Sequence, residues 1–204
     1  VPAKCLGNSS KQLSAGRMVY SLNCEYCNNL TSLEGSPKEC GEFKCCFCKS
    51  LTSLEGAPKK IQGSFTCFNC EKLVSLKGAP EKVGGHFNCY NCKNLKSLEG
   101  APKVVGGDFG CPNCNSLKTL KGAPKEVREF NCGQCSSLTS LEGSPERIGI
   151  DFFCANCKSL KNLVGAPEKV SERFSCAGCK NLISLKGAPK EVGGSFSCAY
   201  CDSL

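Results

Sequence analysis

Nine CxxC pairs recur along this chain at intervals of 21 or 22 residues, and this spacing constrains the fold more than any other feature. The first pair begins at Cys24 and the ninth at Cys198. In most units a Phe precedes the pair, and two Leu, a Gly-Ala-Pro or Gly-Ser-Pro segment and a Val or Ile follow it. A fixed period of this length indicates a solenoid. We expect an N-terminal cap over 1–21 and one repeat domain over 22–204, with eight full units and one partial unit of about 22 residues.

The unit from Phe87 to Gly107 shows how one repeat is expected to form one coil. Phe87 and Cys89 alternate with Asn88, which is the period of a short β-strand of three to five residues. Cys92 and two leucines continue the inward set, Gly and Pro disfavour a continuous helix, and a Gly-Gly pair turns the chain into the next strand. One coil buries too little apolar surface to offset the ordering of its backbone, so coils must stack through parallel strands. We therefore expect a β-solenoid with a parallel sheet of short strands, mostly turns and loops, and little helix.

The order Phe-x-Cys-x-x-Cys-x-x-Leu resembles the leucine-rich-repeat core, Leu-x-Leu-x-x-Asn/Cys-x-x-Leu. Phe and the first Cys take the strand leucine positions, and the second Cys takes the Asn/Cys position. The segment from Cys135 to Gly149 is similar to repeats found in surface and other proteins of bacteria and their phages, and the resemblance covers residues 22–204. It implies a right-handed solenoid with its parallel sheet on the concave side and a role in binding other macromolecules.

Eighteen of the 21 cysteines occupy two repeat positions, the first and second Cys of each pair. Three chemistries remain open for these two columns: reduced buried thiols, zinc or another thiophilic metal held between adjacent coils, and disulfides within each pair. As a buried thiol, the second Cys is expected to be a weak partner for amides in turns. We predict structural cysteines with no metal or cofactor, and metal binding by the same residues is the alternative. The columns contain Cys24, Cys27, Cys45, Cys48, Cys67, Cys70, Cys89, Cys92, Cys111, Cys114, Cys132, Cys135, Cys154, Cys157, Cys176, Cys179, Cys198 and Cys201.

Three cysteines lie outside the two columns. Cys5 falls in the N-terminal cap, and Cys40 takes the place of the usual Val or Ile. Cys46 occupies an outward strand position, so we expect it to be the most exposed thiol of the chain.

Residues that would face outward from the strands vary between repeats, whereas the inward residues do not. Exposed aromatic side chains supply apolar area at protein interfaces, which favours Phe68, Tyr90 and Phe153 as contacts for a partner. The one histidine, His86, is interpreted as a hydrogen-bonding surface residue. The predicted partner-binding residues on the concave face are Lys44, Thr66, Phe68, His86, Asn88, Tyr90, Asp108, Asn131, Asp151, Phe153 and Arg173.

The net charge of +8 does not by itself indicate nucleic acid, because Lys and Arg alternate with Glu at equivalent repeat positions and phosphate binding needs clustered cations. No apolar run approaches the roughly 18 residues of a membrane span, and no phosphate loop or paired carboxylates indicate an enzyme. Abundant thiols favour a reducing cytoplasm over the cell surface or secretion. We expect a non-catalytic scaffold that binds a protein or glycan, with end-to-end self-association through the C-terminal coil.

Overall fold

The computed structural model describes the backbone of residues 10–14 and 17–204, and the side chains from residue 20 onward. Within these residues the chain forms a parallel β-solenoid of about eight turns and contains no helix, which confirms the predicted fold class. No helix in the described part of the chain is therefore long and apolar enough to cross a membrane. The strands are β1 (Ser10–Ser14), β2 (Arg17–Asn23), β3 (Glu39–Cys40), β4 (Phe43–Lys44), β5 (Lys60–Ile61), β6 (Phe65–Thr66), β7 (Lys82–Val83), β8 (Phe87–Asn88), β9 (Val104–Val105), β10 (Phe109–Gly110), β11 (Glu126–Val127), β12 (Phe130–Asn131), β13 (Arg147–Ile148), β14 (Phe152–Phe153), β15 (Lys169–Val170), β16 (Phe174–Ser175), β17 (Glu191–Val192) and β18 (Phe196–Ser197).

Ten strands form one sheet, called the long sheet here, in the order β1-β2-β4-β6-β8-β10-β12-β14-β16-β18. From β2 onward the strands are parallel and in register, so that Phe87 lies opposite Phe65 and Phe109. Each Phe strand contains only two residues, because the chain turns at the first Cys. At the N-terminal edge of the long sheet, β1 pairs with β2 as an antiparallel hairpin, so the described part of the predicted cap extends the sheet. Residues 1–9 and 15–16 of that cap, and with them Cys5, lie outside the described residues.

The Val or Ile position of each repeat forms a second set of parallel strands. β3, β5, β7 and β9 make one four-stranded sheet, and β11, β13, β15 and β17 make another. In β5 and β7 the first residue is exposed and the second is buried. The repeat pattern predicts an inward Val or Ile here but no ladder, because two residues are too few to show strand alternation.

The core consists of columns in which the same side chain recurs in successive coils. Neighbouring rings of the Phe column stack with their centroids between 5.2 and 5.5 Å apart, within the usual range for stacked aromatic pairs. Most members of the two leucine columns and of both cysteine columns are buried beside them. The fully buried rings are Phe43, Phe65, Phe87, Phe109, Phe130, Phe152 and Phe174.

Glycine is required at two positions in the coil for different reasons. Gly100, in the Gly-Ala-Pro segment, has a φ of +88°, which side chains with a Cβ rarely adopt. Gly106 lies outside that left-handed region, but a Cβ added there would be 2.3 Å from the carbonyl oxygen of Gly84 in the preceding coil. The predicted Gly-Gly turn therefore depends on close contact between coils.

Candidate binding groove

Four aromatic side chains next to the long sheet form a continuous series across successive coils, which we call the aromatic strip. Tyr26 and Phe47 stack at a centroid distance of 4.6 Å, and Phe47 meets Phe68 edge-on at 5.3 Å. Phe68 stacks on Tyr90 at 4.4 Å. The predicted contacts Phe68 and Tyr90 are both partly exposed, and the strip ends at Tyr90.

The third residue of each CxxC pair has a left-handed backbone conformation. Its φ lies between +56° and +61° at the non-glycine members and is +70° at the single glycine. Asn tolerates this conformation better than most side chains, which explains why Asn is frequent here. Strand alternation assigns no face to this position, so the sequence does not predict it as a surface column, although the recurrence of Asn is a usable signal. The column contains Tyr26, Phe47, Asn69, Asn91, Asn113, Gln134, Asn156, Gly178 and Tyr200.

Asparagine side chains in this column hydrogen-bond from one coil to the next. The Nδ2 group of Asn91 donates to Oδ1 of Asn69, and Nδ2 of Asn113 donates to Oδ1 of Asn91 at 2.7 Å. These bonds hold three side-chain amides in one row at the surface.

Three adjoining depressions of about 310, 680 and 440 Å³ form one groove beside this row. Pro112 and Asn131 line both the first and the second depression. Asn113, Gln134 and Asn156 line both the second and the third. The groove is therefore continuous, and it runs parallel to the course of the chain within a coil.

Small residues after the first Cys create the middle of the groove. Gly133 and Ala155 occupy the position that Phe68 and Tyr90 fill in earlier coils. Tyr90 and Phe153 both line this middle depression. The groove thus combines two aromatic rings with backbone that is close to the surface.

Two asparagines in the strands also line the groove and are fixed by their own turns. Oδ1 of Asn88 accepts a hydrogen bond from the Tyr90 amide at 3.1 Å, and Oδ1 of Asn131 accepts one from the Gly133 amide at 3.0 Å. Both were predicted as partner-binding residues, and the structure places them on one surface.

Charged residues one or two positions before a Phe of the core column surround the end of the groove at the first depression, which we call the first end. Arg128 donates from Nε and Nη2 to the Asp108 carboxylate at 2.8 and 2.9 Å, and Arg173 donates to Asp151 at 2.6 Å. Glu129 has no ion pair within the described residues. Its partial burial, with Asp108 and Asp151 nearby, raises the pKa of Glu129. Three carboxylates against two guanidinium groups leave one uncompensated negative charge.

Asp151 occupies a predicted outward position but is only 1 % exposed. Arg173 covers it, and the hydrogen bonds from that guanidinium lower the pKa of Asp151. Arg173 itself is exposed, and its guanidinium carbon lies 5.4 Å from the centroid of the Phe153 ring. A partner at this position would therefore meet Arg173.

His86 lies at the same end of the groove and is exposed. Its Nδ1 accepts a hydrogen bond from the Asp108 amide at 3.0 Å and is also 3.0 Å from the Asp108 carboxylate. Lys44 is exposed and Thr66 partly exposed, and both lie on strands before the groove. Of the predicted set, six residues line the groove, and the five that do not are Lys44, Thr66, Phe68, Asp151 and Arg173.

Cys46 was expected to be the most exposed thiol, and this was wrong. It has no exposed surface, and it interacts with Thr66, the Phe68 backbone and Glu25 of the adjacent coils. Its thiol donates to Oγ1 of Thr66 at 3.4 Å. Burial raises the pKa of Cys46 to about 11.

The second end of the groove is polar and basic. Lys158 lines the third depression together with Asn115 and Ser136. Many other lysines pair with a glutamate of an adjacent coil, as Lys77 does with Glu55 at 2.9 Å. Lys158 has no carboxylate partner among the described residues, so its charge remains available.

From Cys48 onward, the second Cys of each pair bonds to the backbone of the preceding coil. Sγ of Cys92 donates to the Cys67 carbonyl oxygen at 3.2 Å, and the corresponding distance is 3.1 to 3.3 Å in the other coils. Turn amides also contact this sulfur, as expected: the Cys157 thiol and backbone hydrogen bonds from Cys157 and Asn156 lower the pKa of Cys179. The donation from the thiol to a carbonyl is an additional contact that the sequence did not predict.

The column cysteines of the described residues are free thiols, except for Cys27, which is disulfide-bonded. Cys24 is free, so none of the nine pairs forms an internal disulfide, and that alternative was wrong. Burial raises the pKa of Cys24 to about 11 and that of Cys176 to about 12. Among the described residues, no three His, Cys, Asp or Glu side chains meet in an arrangement suited to a metal ion.

Comparison with protein-family models, with curated proteins and with solved structures found no match to this chain.

Proposed function

We propose that this protein is a non-catalytic scaffold that binds a protein or a glycan across the outer face of its long sheet. The partner occupies the aromatic strip and the groove. The observation that carries this proposal is the groove, where Tyr90 and Phe153 lie beside a row of side-chain amides. Aromatic rings supply apolar contact area, and amides supply both donors and acceptors.

The construction of the solenoid supports a binding role. The core columns keep the backbone of successive coils in register, so the outward side chains form a fixed array. A partner then binds without first ordering the surface that it contacts. The leucine-rich-repeat pattern of the sequence agrees with this role, since such repeats commonly present their sheet to macromolecules.

The chemistry of the thiols supports a non-catalytic role. Cysteine reacts as the thiolate, and reactive cysteines have lowered pKa values at accessible sites. Burial instead raises the pKa values of Cys46 and Cys176, to about 11 and about 12. A hydrogen bond from the Cys157 thiol lowers the pKa of Cys179, but Cys179 has no exposed surface that a substrate could reach.

Alanine variants of the two groove aromatics test the proposal. The purified chain is screened on a glycan array and against a displayed peptide library, and Kd is measured for each ligand recovered. We expect Tyr90→Ala and Phe153→Ala each to weaken binding about tenfold or more, because interface aromatics dominate affinity. Tyr200→Ala is the matched control, since Tyr200 is 82 % exposed and lies outside the groove. Equal affinity of the two groove variants and the wild-type chain would contradict the proposal.

Metal analysis tests the alternative of a thiolate-bound metal. From Cys48 onward, the thiol proton of the second Cys is engaged with a carbonyl, whereas a zinc ligand must lose its proton. We expect less than about one zinc ion per chain after purification without chelator, against about four if adjacent half-sites were paired. Four ions per chain would establish the metal site and contradict this expectation.

A further inference from the structure

The groove has opposite charges at its two ends. Glu129 lines the first end, where the local charges sum to one uncompensated negative charge. Lys158 lines the other end and has no carboxylate partner within the described residues. A ligand that fills the whole groove must therefore offer a cation to one end and an anion to the other.

The middle of the groove matches a peptide backbone. Asn113, Gln134 and Asn156 line it, and each amide both donates and accepts hydrogen bonds, as a peptide unit does. Tyr90 and Phe153 lie among these amides and offer apolar surface to side chains. Gly133 leaves room for a chain to approach the backbone of the sheet.

The length of the groove suits a short segment. The coil passes along it from Glu129 to Ser136, which is seven steps of at most about 3.3 Å each, so the groove is at most about 23 Å long and shorter because the chain turns within it. About four to six residues of an extended chain span that distance.

We propose that the groove binds an extended peptide segment of a protein partner, with a Lys or Arg at the Glu129 end and an Asp or Glu at the Lys158 end. This inference rests on the proposed function and chooses protein over glycan. An acidic glycan would satisfy Lys158 but would bring no cation to Glu129. The two opposite charges also define the direction in which the peptide lies.

A phage-displayed library of random peptides of about ten residues, selected on the purified 204-residue chain, tests the proposal. We expect enrichment of peptides that carry a basic and an acidic residue about four to six positions apart. Glu129→Gln and Lys158→Gln should each weaken the selected peptides about tenfold or more, the usual effect of losing a charged hydrogen bond. Glu172→Gln and Lys161→Gln are the controls, because both residues are exposed and neither lines the groove. Selection on Glu129→Lys should enrich peptides that are acidic at both ends.

Other outcomes overturn the inference. Selection that returns no peptide, or peptides without the charge pattern, contradicts it. So does a heparin oligosaccharide that binds more tightly than any peptide and depends on Lys158 but not on Glu129. If Tyr90→Ala and Phe153→Ala weaken binding while Glu129→Gln and Lys158→Gln do not, the groove is the site but the charge assignment is wrong. If none of the four variants weakens binding, the proposed function itself fails.

Discussion

At the scale of single residues, the two cysteines of each pair have different roles in the same coil. Cys89 and Cys92 are both fully buried. Cys92 donates to the carbonyl of Cys67, whereas Cys89 packs in the core next to the Phe column. The CxxC spacing arises because the residue directly after the strand and the residue three positions later, past the turn, both point inward.

Replacing each of these two cysteines by alanine should separate the roles. Both variants lose the packing of one buried sulfur, but only Cys92→Ala also removes a hydrogen-bond donor to a buried carbonyl. We expect Cys92→Ala to lower the free energy of unfolding by about 1 to 2 kcal/mol more than Cys89→Ala does. Urea denaturation of the two variants measures this difference, and equal losses would show that the thiol bond contributes nothing.

The buried thiols also predict a loss of stability at high pH. Burial raises the pKa of Cys40 from 9.0 to about 12. The folded state therefore favours the neutral thiol, and this stability is fully present below about pH 9 and is lost as the pH rises toward the folded pKa. Between these limits the unfolded chain releases a proton that the folded chain keeps, which lowers stability by about 1.4 kcal/mol per pH unit for each such thiol.

Cys40→Val isolates one thiol, because Val or Ile occupies this position in other coils. Above about pH 9.5, the unfolding free energy of Cys40→Val should fall less steeply than that of the wild type, by about 1.4 kcal/mol per pH unit. Between pH 6 and 7 both proteins should show no pH dependence from this group. Parallel curves in the alkaline range would rule out a protonated, buried Cys40.

At the scale of elements, the turn between the two sets of strands varies in length and sets the contacts between coils. Most repeats have three residues here, such as Gly106, Gly107 and Asp108, whereas two repeats have only two, Gly41-Glu42 and Arg128-Glu129. In the coil after the Arg128-Glu129 turn, a Cβ on Gly149 would meet its nearest neighbour, Cα of Arg128, at 3.5 Å, which is ordinary van der Waals contact.

Gly106 and Gly149 occupy equivalent repeat positions and therefore form a matched pair for mutation. Gly106→Ala would place a Cβ 2.3 Å from the Gly84 carbonyl oxygen, so the stacked turns must separate. We expect a loss of at least about 2 kcal/mol in the free energy of unfolding for Gly106→Ala. Gly149→Ala should change stability by less than about 1 kcal/mol. Thermal unfolding of both variants checks the contrast, and similar losses would mean that the turns are not in close contact.

At the scale of the whole molecule, stability depends on contacts between neighbouring coils. Phe109 stacks on Phe87 at 5.2 Å and on Phe130 at 5.5 Å. Phe196 stacks on Phe174 alone among the described rings and is 37 % exposed. In a linear array of this kind, the effect of a substitution depends on how many neighbours the residue has.

Alanine substitution along the Phe column should show this dependence. Phe109→Ala should lower the free energy of unfolding by about 3 to 5 kcal/mol, the usual cost for a buried Phe. Phe196→Ala should cost less than about half as much, since Phe196 has one ring neighbour and is partly solvated. Equal losses in a denaturant titration would indicate that the terminal coil is covered in solution, as the predicted end-to-end association requires.

The sequence alone determined the solenoid, the stacking of like residues in columns and the parallel sheet that contains each Phe. These features follow from a repeat period, because identical units bury identical side chains only when they stack in register. Two-residue strands and a left-handed turn residue leave too little periodicity to read, so the second set of strands and the Asn column appeared only in the structure.

Tertiary structure alone decided which outward residues line the groove. Gly133 and Ala155 are unremarkable in the sequence, yet they open the groove between Tyr90 and Phe153. Cys46 and Asp151 both occupy outward positions of the repeat, yet both are buried by contacts with adjacent coils. Exposure of a side chain depends on the size of residues some 22 positions away, and a period read along the chain does not report that lateral contact.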